Sequence, residues 1–222
     1  MAKAGDALHR AFFGLLSRLP TASAQASVRR YFDWWHRKQD PWHYTSDTYE
    51  KDRHAALLSC LPRRDYGRIL DVGCSEGFFT DLVALSHPGA ETVGVDVSSQ
   101  AVRSATVRAS SPARFECLDI RHQAPTGQFD LVICTEMLYY VGNGRILRQV
   151  SHRLSGLLSP GGVLVASHPW PESRRLHRHF SLAAPLRPIG ERVMPHADRS
   201  YAISLYERTG RASRPRDAVG DR

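Results

Sequence analysis

An apolar run from Arg68 to Val72 carries an acid, Asp71, near its end and turns at once through Gly73 and Gly77 into a stretch patterned as a helix. Glycine tolerates positive φ and lets backbone approach a ligand closely. The start of a helix offers N–H groups that have no partner within the helix. A second apolar run, Thr92 to Asp96, ends in another acid, about twenty residues after the glycines, where a carboxylate accepts hydrogen bonds from both hydroxyls of a ribose. Loops at the carboxyl ends of parallel strands are where open α/β sheets bind ligands. The pattern therefore restricts the chain to an α/β fold holding a nucleoside-bearing molecule.

Two ligands compete for this geometry. A nicotinamide dinucleotide wants G-x-G-x-x-G packed against a pyrophosphate. Here the spacing is Gly73-x-x-x-Gly77, with Cys74, Ser75 and Glu76 between. Asp71 and Glu76 would repel a pyrophosphate, whereas S-adenosylmethionine carries an ammonium and a sulfonium. The acids favour the second ligand over a dehydrogenase cofactor.

Further strands are expected at Ala113–Cys117, Phe129–Cys134, Gly162–Ser167 and Ser200–Glu207, the last as an antiparallel edge strand. Helices fit at about 75–87, 98–109, 142–157 and 171–182. Residues 1–66 read as a helical extension and cap, broken at Leu19-Pro20 and Asp40-Pro41. Residues 67–209 read as the core, and 210–222 as a disordered tail. Leu8, Phe12, Leu15 and Leu16 share one face of an expected amphipathic helix over 5–18. Arg10 and Arg18 bracket its apolar stretch and argue against a secretory leader. No apolar run approaches the roughly 18 residues of a membrane span. The four cysteines form no C-x-x-C pair, consistent with reduced thiols in the cytoplasm.

The net charge is +8, yet only Lys3, Lys38 and Lys51 are lysines, and the arginines are spread along the chain. The densest cluster, Arg174 to His179, lacks interleaved aromatics. Nucleic acid is therefore disfavoured as a partner, and a membrane surface likewise.

Asp119-Ile120 after the third strand, Phe129 to Cys134, and Ser159-Pro160-Gly161-Gly162 before the fifth complete an order in which the chain resembles the class I methyltransferases. That resemblance implies a Rossmann-like seven-stranded sheet of order 3-2-1-4-5-7-6, with strand seven antiparallel. Asp40-Pro41-Trp42, Thr48-Tyr49-Glu50, Arg53, Val72 to Thr80, Cys134 to Tyr140 and Ser167-His168 together resemble the NodS-type nodulation methyltransferases, which N-methylate the amino sugar at one end of a chito-oligosaccharide. The resemblance implies a donor site of Trp42, Tyr49, Arg53, Asp71, Gly73, Cys74, Ser75, Gly77, Asp96, Val97, Asp119, Ile120 and Thr135. Arg53 suits the methionine carboxylate, and Asp119 the adenine amino group.

Methyl transfer needs alignment and exclusion of water, and a base only where the acceptor holds its proton tightly. His168, just past strand five, is the first candidate base; Glu136, after strand four, is the second and would attract a cationic amine. Tyr139 and Tyr140 are candidate pocket walls. No metal is expected, because no histidine pair sits at helical ligand spacing near an acid. The expected activity is methylation of a small molecule, at an amine or amino sugar. The alternatives are O-methylation of a hydroxylated natural product, a transfer-RNA methyltransferase, and a subunit without chemistry. Thr135-Glu136-Met137-Leu138 stands where an Asn- or Asp-Pro-Pro-aromatic turn would grip a DNA base.

Overall fold

The structure, a computed structural model, describes residues 21–183 and 185–210. The expected N-terminal amphipathic helix and the tail from residue 211 lie outside these residues. Helices α1 (Thr21–Trp35) and α2 (Thr48–Cys60) precede β1 (Arg68–Val72), α3 (Phe78–Ser86), β2 (Glu91–Asp96), α4 (Ser99–Arg108), β3 (Arg114–Cys117) and β4 (Phe129–Thr135). A 3-10 turn (Leu138–Tyr140), α5 (Gly144–Leu157), β5 (Leu158–Pro169), α6 (Glu172–Ser181), β6 (Leu186–Met194) and β7 (Tyr201–Arg208) complete the order.

The strands form one sheet, β3-β2-β1-β4-β5-β7-β6. The first five pair in parallel, and β7 runs antiparallel to both β5 and β6. Alternate residues of the central strands enter two separate cores. Leu70, Val72, Val132 and Cys134 pack under Leu147, Val150 and Leu154 of α5 and Phe180 of α6. Ile69, Leu131 and Ile133 face Leu57 of α2 and Val83 of α3. Both faces are covered, so β4 is continuously apolar from Leu131 to Cys134. Each fully buried side chain of this kind contributes about 1.5–3 kcal/mol.

Local chemistry sets the helix starts. Ser98 caps α4 by accepting from the Ala101 N–H, and Asn143 caps α5 by accepting from the Arg145 and Ile146 N–H groups. A smaller cluster, Val28 and Phe32 of α1 with Trp42, Val97 and Tyr140, sits beyond the carboxyl ends of the strands.

Two expectations are corrected. β7 is antiparallel but is not the edge; β6 is. No strand signal marks β6 in the sequence, because its middle is exposed and it contains Pro188 and Gly190, where the register shifts. Proline is tolerated on an edge, where its missing N–H disturbs no inner ladder. β5 also begins earlier, at Leu158, so Ser159 to Gly162 lies within the strand, at an irregularity opposite Phe129–Leu131.

Candidate active site

A cavity of about 1600 Å³ opens at the carboxyl ends of β1, β2 and β4. Its floor is built from backbone. The N–H groups of Gly73 and Cys74 both donate to the Val95 carbonyl, at 2.8 and 3.1 Å. Gly73 has φ +80, and a Cβ there would lie 2.9 Å from that of Met137, so the position accepts only glycine without rearrangement. Ser75 also takes a positive φ of 53, and its N–H donates to Asp96 Oδ2 at 2.9 Å. The other Asp96 oxygen accepts the Ser98 N–H at 2.9 Å. Burial nevertheless raises the Asp96 pKa. Asp71 is fully buried and accepts from Thr80 Oγ1 at 2.6 Å. Its pKa is pushed up to about 6 by burial, with Asp96 adding to the rise.

Trp42, Tyr49, Arg53, Asp71, Gly73, Cys74, Ser75, Asp96, Val97, Asp119, Ile120, Thr135 and Glu136 all line this cavity. Gly77 does not. At φ +74 it starts α3 beneath the loop, where a Cβ would meet Phe115 at 2.6 Å. It shapes the floor without forming part of the lining. Glu76 also turns away: it is buried, accepts the Asp40 N–H at 3.1 Å and lies 3.9 Å from His36 Nδ1. It therefore pins the segment after α1 to the loop. Asp119 reaches the lining with its carboxylate already held by Arg121, at 2.9 Å to Oδ1 and 2.6 Å to Oδ2. Burial opposes its ionisation, but Arg121 more than offsets this and holds the pKa below the usual value. An adenine amino group would share that carboxylate rather than own it.

The walls come from side chains. Arg53 is 2% exposed. It donates to Glu50 Oε2 through Nε at 3.0 Å and Nη2 at 2.5 Å, which leaves Nη1 buried without a hydrogen-bond partner. Glu136 sits opposite in charge. Its backbone is in the left-handed region at φ 52, a conformation that costs about 1–3 kcal/mol in a non-glycine residue. Its Oε2 accepts from Tyr139 Oη at 3.0 Å and from Arg199 Nη2 at 3.1 Å. Its Oε1 is buried and unpartnered. Burial raises its pKa, with Arg199 and Arg53 opposing the rise.

His168 lies outside the cavity lining. Its ring is fully buried; Nε2 accepts the Leu138 N–H at 3.1 Å and Nδ1 lies 2.9 Å from His177 Nε2. Burial, and then His177, hold its pKa well below the ordinary imidazole value. Both ring nitrogens are engaged inside the fold, and neither is turned to the cavity as a general base would be.

Several wall residues are not among those expected at the site. Tyr44, Glu50, Trp170 and Arg199 all line the cavity. Arg199 stands over the Tyr49 ring at 5.3 Å and donates to Glu136, which is 63 positions away in the chain. Tyr44 stacks on His54, with centroids 5.6 Å apart. Among the described residues no cluster of three or more His, Cys, Asp or Glu is placed to hold a metal ion. No helix among them is long and apolar enough to cross a membrane.

Residues 24–184 match the family model for Nodulation protein S (NodS). Nodulation protein S of Rhizobium tropici is 34% identical over 129 residues, covering 57% of this chain and 53% of that protein. Trans-aconitate 2-methyltransferase of Variovorax paradoxus is 35% identical over 150 residues, covering 67% and 56%. The matches thus span little more than half the length of these curated relatives. The crystal structure of N-methyltransferase NodS from Bradyrhizobium japonicum in complex with S-adenosyl-L-homocysteine superposes with a TM-score of 0.71 at 23% identity, over 82% of this chain and 98% of that one. The Burkholderia thailandensis 1,6-didemethyltoxoflavin-N1-methyltransferase gives 0.64 at 20%, over 86% and 92%. At these identities the likeness is one of fold, the seven-stranded class I methyltransferase sheet.

Proposed function

This chain belongs to the NodS family, and on that premise we propose that it is an S-adenosylmethionine-dependent methyltransferase that methylates the nitrogen of a small amine or amino sugar. One observation carries the reading. Two buried polar atoms without partners, Arg53 Nη1 and Glu136 Oε1, belong to residues that line the same cavity. The first suits the carboxylate of an amino-acid donor, by the charge-assisted geometry that guanidinium favours. The second suits a cation.

The remaining residues fit the donor as well. Asp96 is held by two backbone N–H groups and keeps lone pairs for ribose hydroxyls. The bare Gly73 lets the loop pass close against Met137, where a side chain would not fit. The volume exceeds the roughly 300–1,000 Å³ of an ordinary ligand pocket, which leaves room for donor and acceptor together. Bound there, the donor would supply an electrophilic methyl group on sulfur.

The chain's own part is then to orient the acceptor and to keep water away. Glu136 Oε1 draws an ammonium in and takes a hydrogen bond from the same nitrogen once it is neutral. Arg199 and Tyr139 fix Oε2, so the carboxylate presents one oxygen in a set direction. Tyr44, Tyr49 and Tyr139 wall the site with rings that present polar tips. A hydroxyl acceptor would need a positioned base, and His168, the residue expected for that task, is not among the residues that line the cavity.

The test combines calorimetry with adenosylhomocysteine and transfer of a labelled methyl group to a panel of amines, amino sugars, phenols and carboxylic acids. Label is expected on nitrogen, in a product stable to mild base. Absence of adenosylhomocysteine binding, or label found only on oxygen, would sink the proposal.

A further inference from the structure

We propose that His168 is a positioning residue, the inner end of a one-directional hydrogen-bond chain that ties edge strand β6 to the acceptor wall; this rests on the methyltransferase reading above. The direction follows from the first link. The Leu138 N–H donates to His168 Nε2 at 3.1 Å, so Nε2 holds a lone pair and no hydrogen. In a neutral ring the hydrogen is then on Nδ1, which donates to His177 Nε2 at 2.9 Å. That bond uses the lone pair of His177 Nε2, so His177 in turn carries its hydrogen on Nδ1 and donates to Ser204 Oγ at 2.8 Å. The Ser204 hydroxyl donates to Glu191 Oε2 at 2.9 Å. Each tautomer is set by the link before it, and the chain ends on a carboxylate, which only accepts. Burial holds His177 to a pKa of about 4 and His168 well below its ordinary value, so both rings are neutral at pH 7.

The links cross four elements: β5 supplies His168, α6 His177, β7 Ser204 and β6 Glu191. The inner end holds the first residue of the 3-10 turn, Leu138. The next residue, Tyr139, donates to Glu136 and sets its ring edge-on to that of His168, centroids 5.9 Å apart. An N–H at the start of a helical turn has no partner within the turn. Here it is buried, and an apolar side chain at position 168 would leave it unpaired. The ring therefore decides where Tyr139, and through it Glu136, stands in the cavity. A histidine serving only as packing would need neither tautomer.

Nitrogen NMR of histidine-labelled protein reads the tautomers directly. Both rings are expected neutral at pH 7 with hydrogen on Nδ1. Hydrogen on Nε2 of His168 would overturn the chain. The functional test compares His168→Leu, which removes the acceptor, with His168→Gln, whose amide oxygen restores it. Adenosylhomocysteine affinity is expected to stay within about two-fold in both. Turnover of the amine found in the panel is expected to fall about 100-fold in the leucine variant, as a displaced reacting geometry does, and to recover largely in the glutamine variant. A folded leucine variant with wild-type turnover would refute the positioning role. Should that variant not fold, Ser204→Ala breaks the outer link far from the cavity, and a shift of the His168 Nδ1 resonance is then expected; an unmoved resonance counts against the chain. Wild-type protein that fails to bind adenosylhomocysteine would defeat the functional reading while the tautomers stand as found. Binding with the wrong tautomer defeats the chain alone.

Discussion

The floor and the walls of the cavity are built by different means. The floor is backbone: Gly73 and Cys74 bond to Val95, and Ser75 to Asp96, all within two strand ends. The walls are side chains from distant segments, Arg53 on Glu50, and Arg199 and Tyr139 on Glu136. A backbone floor tolerates many side chains but few changes in φ. A side-chain wall can be rewritten residue by residue. This matches the proposed division of labour: the floor and one wall residue, Arg53, hold the donor, and the rest of the walls choose the acceptor.

The sharpest way to break the comparison is at the wall. Arg53→Met leaves the buried Glu50 without its partner. Breaking such a pair costs about 3–5 kcal/mol, so thermal melts should fall steeply. In the double variant with Glu50→Gln the stability loss should be smaller, and calorimetry should still show adenosylhomocysteine affinity down by about 100-fold. Undiminished affinity there would mean that Arg53 does not hold the carboxylate.

The floor's counterpart is Gly77→Ala. Its methyl would sit 2.6 Å from Phe115 at a φ of +74. Left-handed strain and overpacking together amount to about 2–5 kcal/mol. Gly161 has φ +75 with open space around it, so Gly161→Ala carries the strain alone, about 1–2 kcal/mol. Chemical denaturation of the two variants separates the packing part. Equal losses would show that Phe115 moves aside freely.

That contrast also explains what the sequence makes legible. The floor is contiguous, so Asp71, Gly73 and Gly77 at fixed spacing, with Asp96 closing the next strand, announce it. Its parallel strands are covered on both faces and read as apolar runs. The walls do not announce themselves. Arg199 meets Glu136 only because β7 returns beside β5, and no local pattern distinguishes it from the other arginines. β6 has a solvent-facing middle and a proline, so neither apolar run nor alternation marks it. His168 was legible as a residue at the right strand end, but the direction of its ring was not. That depends on His177, nine positions on in another element.

A smaller effect is expected at the wall from Glu136→Gln. The amide keeps the shape and can still accept from Tyr139, but it removes the charge that would draw in an ammonium. Adenosylhomocysteine affinity should stay unchanged while kcat/KM for the amine drops about ten-fold or more, the range of a hydrogen bond to a charged group. A matching drop in donor affinity would place Glu136 with Arg53 at the donor instead.

The smallest effect belongs to the floor and is read as a pH dependence. Asp71 has a folded pKa raised to about 6 from an ordinary 3.8. Between those values the folded protein binds more proton than the unfolded chain, so this group's contribution to stability falls as pH rises through the window and stays low above it. Asp71→Asn removes that penalty and keeps an oxygen for Thr80 to donate to. The variant should melt higher than wild type at pH 8, by about 2–4 °C for a net gain near 1 kcal/mol, and the difference should shrink toward pH 4. His177 works in the opposite sense: its folded pKa is lowered to about 4, so its contribution is full above about 6.5 and is lost as pH falls toward 4. Removing the floor's group should therefore leave a steeper loss of stability in acid, set by the buried histidines behind the wall. A melting difference between variant and wild type that grows as the pH falls would contradict the ionised, desolvated Asp71 on which this contrast depends.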